Sequence, residues 1–164
     1  MNIHVEVRDV ETNLLDPSEA LCFVESAGHG AGALFLGAVR NRNQGRDVKG
    51  VSYDVFAPLA EQSFTEICAE AQDKWGPDLR LFVVHGKGRL AVGGLSIVIA
   101  AGSPHRDEAF RACRYVIEEI KNRSPVWKQE HYTDGDSEWV QGHALCQHGD
   151  ESHKHDLELG HEHG

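Results

Sequence analysis

Two lysines, Lys121 and Lys128, flank a Pro125-Val126-Trp127 segment and are the residues of this chain best suited to covalent or acid–base chemistry. An amine attacks a carbonyl carbon only once it has lost its proton. A lysine set against apolar surface and beside other cations loses it more readily. Lys128 follows Trp127 in an extended segment begun by Pro125, so a packed indole would fix its direction. Lys121 has a plainer reading as well, because a cation in the last turn of a helix complements the helix dipole. On the residues alone both readings stay open.

A second group of cations opens the same helix. Ser103-Pro104-His105-Arg106 reads as an N-cap, a proline at the first helical position and two first-turn residues. Unpaired backbone N–H groups and the positive end of the dipole converge there, and Arg106 would complete a phosphate or carboxylate site. The alternative is a pair of solvated residues, although cations are disfavoured at a helix N-terminus. Arg40 closes an apolar run and Arg42 enters a loop with Asn41, Asn43 and Gln44. Such junctions line clefts, yet a solvated loop-edge arginine fits them equally.

The elements that must position these groups alternate irregularly. Ile3 to Arg8 alternates as a half-buried strand. Asp16-Pro17-Ser18-Glu19 opens a helix that should reach Ala27. Ala31 to Arg40 reads as a buried strand, because residues 33 to 36 are continuously apolar. A polar loop over 41–48 and a strand over 51–56 follow, then a helix from Pro58 to Trp75 that a Gly76-Pro77 pair stops. Strands over 79–85 and 95–101 are joined through Gly86, Gly88, Gly93 and Gly94. A third helix runs from Pro104 to Lys121, and extended segments follow over 126–132 and 138–141. The order β-α-β-β-α-β-β-α-β predicts an α+β domain with mixed or antiparallel sheet rather than a doubly wound parallel one.

With 164 residues, 40% hydrophobic and 26% charged, the chain reads as one soluble domain able to bury its own core. The domain is expected over 1–143, with a disordered, His-rich acidic tail over 144–164. Five acids and one lysine lie in that tail, so it supplies much of the net charge of −10 and the body is only mildly acidic. An acidic chain argues against binding nucleic acid or an anionic membrane while leaving room for a local basic pocket. Cys22, Cys68, Cys113 and Cys146 are scattered, with no secretion signal or long apolar run beside them, which suits reduced thiols in the cytoplasm. Cys68 and Cys113 fall on apolar helix faces and are expected in the core. The tail pairs His153 with His155, and His161 with His163, are of metal-ligand type. A flexible tail gives them little preorganisation, so they stand as weak candidates and no metal site is assigned.

Several motifs in one order and spacing now carry a resemblance. They are Phe35-Leu36-Gly37-Ala38-Val39-Arg40-Asn41, the segment Tyr53 to Ala60, His85-x-x-Gly88-x-Leu90, His105-Arg106-x-x-Ala109-Phe110, Lys121-x-x-x-Pro125-x-Trp127-Lys128-x-Glu130 and Trp139-Val140. Over roughly residues 3 to 143 the chain resembles the MoaE family, the large, catalytic subunits of molybdopterin synthase. The resemblance implies an α/β hammerhead-type fold and a homodimer with one small, ubiquitin-like sulfur-carrier subunit at each end. It implies sulfur transfer from the carrier's C-terminal thiocarboxylate to cyclic pyranopterin monophosphate, forming the dithiolene of molybdopterin with no further cofactor. Lys121 and Lys128 would be the catalytic pair. Arg40, His105 and Arg106, with Phe35 and His143, would bind the substrate.

His105 and Lys121 lie 16 residues apart on one helix, roughly 24 Å along its axis. A composite site is therefore expected, in which the lysines of one subunit face His105 and Arg106 of its mate. Three features depart from the family pattern. Gly86 stands where an arginine is usual, with Lys87 and Arg89 nearby. His143 stands where some relatives carry an arginine, which would make that contact sensitive to pH. The His-rich tail has no counterpart. The rival reading is a non-catalytic metal-binding or regulatory module on the same fold, and retention of both lysines weighs against it.

Overall fold

The computed structural model describes residues 1–141. The expected substrate contact His143, the thiol of Cys146 and the tail over 144–164 lie outside the described residues. So do the four weak metal-ligand candidates, His153, His155, His161 and His163, to which the structure therefore gives no support as ligands. Among the described residues no group of three or more histidines, cysteines and acids is placed to hold a metal ion.

Chain order is β1 (Ile3–Asp9), α1 (Pro17–Val24), β2 (Ala31–Ala38), β3 (Arg42–Asn43), β4 (Arg46–Val55), α2 (Ala57–Trp75), β5 (Arg80–Ala91), β6 (Leu95–Ser103), α3 (Arg106–Arg123), β7 (Val126–Tyr132), β8 (Gly135–Asp136) and β9 (Val140–Gln141). The expected alternation is present, with β3 and β8 added and β9 falling within the segment expected over 138–141, and the α+β class stands. The strands form one sheet in the order β2-β6-β5-β4-β7-β8, to which β1 adds on β5, β3 on β4 and β9 on β7. Among the described residues only the β1–β5 pairing is parallel.

β5 and β6 are apolar at successive positions because both of their faces are covered. Leu81, Val83, Ile97 and Ile99 face α2 and α3. Phe82, Val84, Val98 and Ala100 face α1. Phe64 and Ile67 of α2 and Val116 of α3 are wholly buried in the first layer. Truncating Phe64 to alanine would cost about 3–5 kcal/mol. Asp16 caps α1, accepting the Ser18 N–H at 2.9 Å.

Several boundaries move. α1 stops at Val24, short of Ala27, and the polar loop after Arg40 is a tight β3–β4 hairpin turning on Gln44 and Gly45, both at positive φ. Gly86 and Gly88 lie inside β5 rather than in a connection. β2 is not the buried strand its apolar run suggested. It is the edge of the sheet, paired among the described strands with β6 alone, so Leu34 and Leu36 remain exposed while Ala33 turns inward.

The start of α3 also differs. Ser103 is still paired with Ala31 in the sheet, and the Pro104 carbonyl accepts the Gly30 N–H at 3.2 Å. Those contacts hold both residues outside the helix. His105 is the N-cap, in an extended conformation, and Arg106 is the first helical residue.

Candidate active site

β5 changes partners along its length, and the site lies at that change. Residues 80–85 pair with β6, whereas 88–91 pair with β4, which in turn pairs with β7. His85 is the last residue of the first segment. Gly88, with a φ of 108° that side chains rarely adopt, begins the second.

His85 is only 6% exposed. Its Nδ1 lies 2.8 Å from the Gly86 carbonyl oxygen. A carbonyl only accepts, so Nδ1 carries the hydrogen and Nε2 is the bare nitrogen of the neutral ring. The ring meets Tyr53 edge-on, at 5.3 Å between centroids, and stacks on Phe64 at 6.4 Å. Burial pushes its pKa down to about 4; the Gly86 carbonyl opposes this, and the Lys121 charge adds to it. His85 is therefore neutral near pH 7.

Lys128 reaches the same place from β7. It stands directly opposite Tyr53 in the β4–β7 ladder, and Tyr53 has Gly88 on its other side. Cross-strand partners share a face, so the Tyr53 ring lies between Lys128 and the seam. Lys128 Nζ is 3.1 Å from Glu130 Oε1, two residues along the same face. Glu130 is 8% exposed, and its backbone N–H donates to Ser137 Oγ at 2.8 Å.

These contacts correct two expectations about Lys128. Trp127 points to the opposite face of β7 and is 42% exposed, so the indole does not direct the lysine. The charged partner beside Lys128 is a carboxylate rather than another cation.

The other face of β7 carries a Ser52–His131–Asp136 series. Ser52 Oγ lies 2.6 Å from His131 Nε2, and His131 Nδ1 lies 2.9 Å from Asp136 Oδ1. The His131 ring and nearby cations hold the Asp136 carboxyl below the usual carboxylate range. The series ties β4, β7 and β8 together beneath Lys128.

The remaining expected residues are placed elsewhere in the chain. His105 and Arg106 are exposed at the far end of α3 from Lys121. Asp107 and Glu108 in the first turn supply the negative charge that the dipole favours there. Glu108 Oε2 is buried with no hydrogen-bond partner among the described residues. Arg40 is exposed just beyond β2, where Val39 is held by backbone bonds to Gly93 and Gly94. Phe35 lines a groove with Leu34, Phe110, Cys113 and Ile117. Cys68 and Cys113 are core residues as expected, their thiols pushed up to about 12 and about 11 by burial.

Tyr53, His85 and Glu130 were given no role from sequence, though two signals point to them. His85 is the single titratable residue closing the apolar run Leu81-Phe82-Val83-Val84. Tyr53 shares its parity with the inward Val51 and Val55.

This arrangement has relatives. Residues 10–123 match the family model described as MoaE protein. The molybdopterin synthase catalytic subunit of Synechococcus elongatus is 51% identical over 130 residues, covering 79% of each chain. The crystal structure of molybdopterin synthase from Staphylococcus aureus superposes with a TM-score of 0.76 at 32% identity, covering 82% of this chain and 95% of that one. A complex of subunits 1 and 2 of molybdopterin-converting factor from Helicobacter pylori shares the fold with a TM-score of 0.65 at 24% identity, covering 80% and 87%. With most of its described length matched by family model, sequence and structure alike, the chain belongs to the MoaE family.

Proposed function

We propose that this chain is the catalytic subunit of molybdopterin synthase, moving sulfur from the thiocarboxylated C-terminus of a small ubiquitin-like carrier to cyclic pyranopterin monophosphate. The observation that carries the reading is Lys128 standing opposite Tyr53, whose ring meets the neutral His85 on which the Lys121 charge also acts, in a chain 51% identical over 130 residues to a named catalytic subunit. Either amine can add to a carbonyl carbon of the carrier tail, and both can pass protons as sulfur leaves it. Glu130 holds Lys128 over the seam. Sulfur comes from the carrier, and no further cofactor is assigned. Among the described residues no helix is long and apolar enough to cross a membrane. The cytoplasm is assigned on the scattered cysteines of the sequence.

The substrate's anionic groups are assigned to Arg40, His105 and Arg106, with Phe35 and His143 beside them. The length of α3 separates His105 from Lys121 by roughly 24 Å, which supports a homodimer whose sites each draw on both subunits.

A single-turnover assay with thiocarboxylated carrier and cyclic pyranopterin monophosphate tests the reading. Wild type should form molybdopterin, and Lys121→Ala and Lys128→Ala should bind the carrier yet lose transfer. A folded wild type that binds carrier and makes no product would favour the non-catalytic module.

A further inference from the structure

We propose that Ser52, His131 and Asp136 form a second catalytic centre, in which Ser52 is the nucleophile that hydrolyses small carboxylic esters. The centre lies on the face of the sheet opposite Lys128 and works independently of sulfur transfer.

Strand register builds it from two neighbouring rows of residues. In one row Gly50 of β4, His131 of β7 and Asp136 of β8 stand opposite one another. In the next, Arg89 of β5, Ser52 of β4 and Gln129 of β7 do the same. Gly50 offers no side chain beside His131, so the ring can lean across to the next row and reach Ser52. That position needs glycine, since a Cβ there would meet the Leu90 carbonyl oxygen at 2.8 Å.

The hydrogen bonds run in the order that a nucleophile requires. Asp136 Oδ1, 2.9 Å from His131 Nδ1, is a carboxylate oxygen that only accepts, so Nδ1 carries the ring hydrogen. Nε2 is then bare, and the Ser52 hydroxyl donates to it at 2.6 Å. The bond from His131 holds the Asp136 carboxyl below the usual carboxylate range, so it stays ionised near pH 7. A hydroxyl, a base and an orienting carboxylate in this sequence are the parts of an activated serine, on whatever fold they occur. His131 is buried, whereas Ser52 is only half-buried and can be reached from solution.

Arg89 supplies the remaining part. It is exposed, shares the face of Ser52 as its direct cross-strand partner, and stands about 5 Å away between Cβ atoms. A guanidinium there can meet the oxygen on which negative charge gathers during attack.

The reaction balances with water as its co-reactant. Ser52 Oγ bonds to the ester carbonyl carbon as its proton passes to His131 Nε2. The bond from that carbon to the alcohol oxygen then breaks, and Nε2 gives the proton to the leaving alkoxide. Water, deprotonated by the same nitrogen, cleaves the acyl–serine, releasing the acid and restoring the hydroxyl.

To test this, the full chain is treated with a fluorophosphonate probe, which labels activated serines, and the labelled peptide is identified by mass spectrometry. Turnover of p-nitrophenyl acetate is followed for wild type, Ser52→Ala and Asp136→Asn, each checked for folding by thermal melt. Wild type should carry the label on Ser52, and Ser52→Ala should lose both label and turnover. Asp136→Asn, at an exposed position, should keep KM and lower kcat by about 10²–10⁴-fold, as loss of an oriented base predicts. A folded wild type left unlabelled at Ser52 would overturn the proposal and leave a purely structural tie. Ester turnover that survives Ser52→Ala would overturn it too, as would an Asp136→Asn chain labelled at the wild-type rate. Should Ser52→Ala fail to fold, the wild-type label and the Asp136→Asn rates still decide the matter.

Discussion

Tyr53 stands directly across the β4–β7 ladder from Lys128, and on its other side the β5 strand offers only Gly88. The ring can therefore lean toward His85, at 5.3 Å, rather than be crowded upright by a neighbour. Among the described residues Lys128 has its ion pair with Glu130. Glu130→Gln keeps the shape and removes the charge, forfeiting a charge-assisted contact of about 1–2 kcal/mol. Sulfur transfer should slow by about five- to thirtyfold with carrier binding retained, as a single-turnover assay beside a titration of the carrier would show. An unchanged rate would mean that Tyr53 and the strand suffice to hold Lys128.

Mixed dimers provide the check on the composite site. A Lys121→Ala chain and a His105→Ala chain should each be inactive as homodimers. Combined, they form dimers in which one site joins an intact Lys121 to an intact His105, and activity should return. If both groups served one pocket within a single chain, every site would keep one lesion and mixing would restore nothing.

His85 also makes stability depend on pH. Its folded pKa, about 4, lies below the ordinary value of 6.5. The unfolded chain therefore takes up a proton first as the pH falls. Stability is fully present above pH 6.5, declines toward pH 4 and changes no further from this group below that, a loss of about 3 kcal/mol in all. The depressed carboxyls Glu6, Glu70, Asp134 and Asp136 act in the same direction but only below their own ordinary range of about 4. Thermal melts between pH 7 and 4.5 (a span set by the two His85 values) should fall for wild type and stay nearly level for His85→Gln.

Gly86, which departs from the pattern the resemblance implies, sits in a close-packed part of β5. A Cβ there would meet Val10 Cγ1 at 2.6 Å, with Leu15 close behind. Gly86→Arg should therefore destabilise the fold by about 1–3 kcal/mol through overpacking. A paired Val10→Ala change should recover part of that in denaturant titrations. A stable single variant would show that the segment after β1 can withdraw at little cost.

The helices and central strands were legible because their periodicity reports burial directly. β5 and β6 read as apolar runs and are covered on both faces. β2 misled for the same reason: an edge strand whose exposed side chains are apolar has the same local pattern as a buried one. The start of α3 misled because Ser103-Pro104 suits a helix cap locally, while the ladder to Ala31 claims Ser103. Lys121 and Lys128 stood out by type and spacing. Their surroundings did not, since Tyr53, His85 and Glu130 come from β4, β5 and β7, and only strand register brings them together. The tail histidines His153, His155, His161 and His163 stood out by type alone and lie outside the described residues.

Strand register also makes the position of Lys128 discrete rather than adjustable. The β7 strand is pinned by its partners on β4, β8 and β9 and by the Ser52–His131–Asp136 series. Sliding it by one residue would turn Lys128 to the outside and bring Trp127 or Gln129 in, because successive side chains alternate faces. Drift in the length of the turn between β7 and β8 therefore has no graded effect on the reactive amine. Either the strand keeps its count and the lysine is present, or the count changes and the site holds an indole or an amide instead.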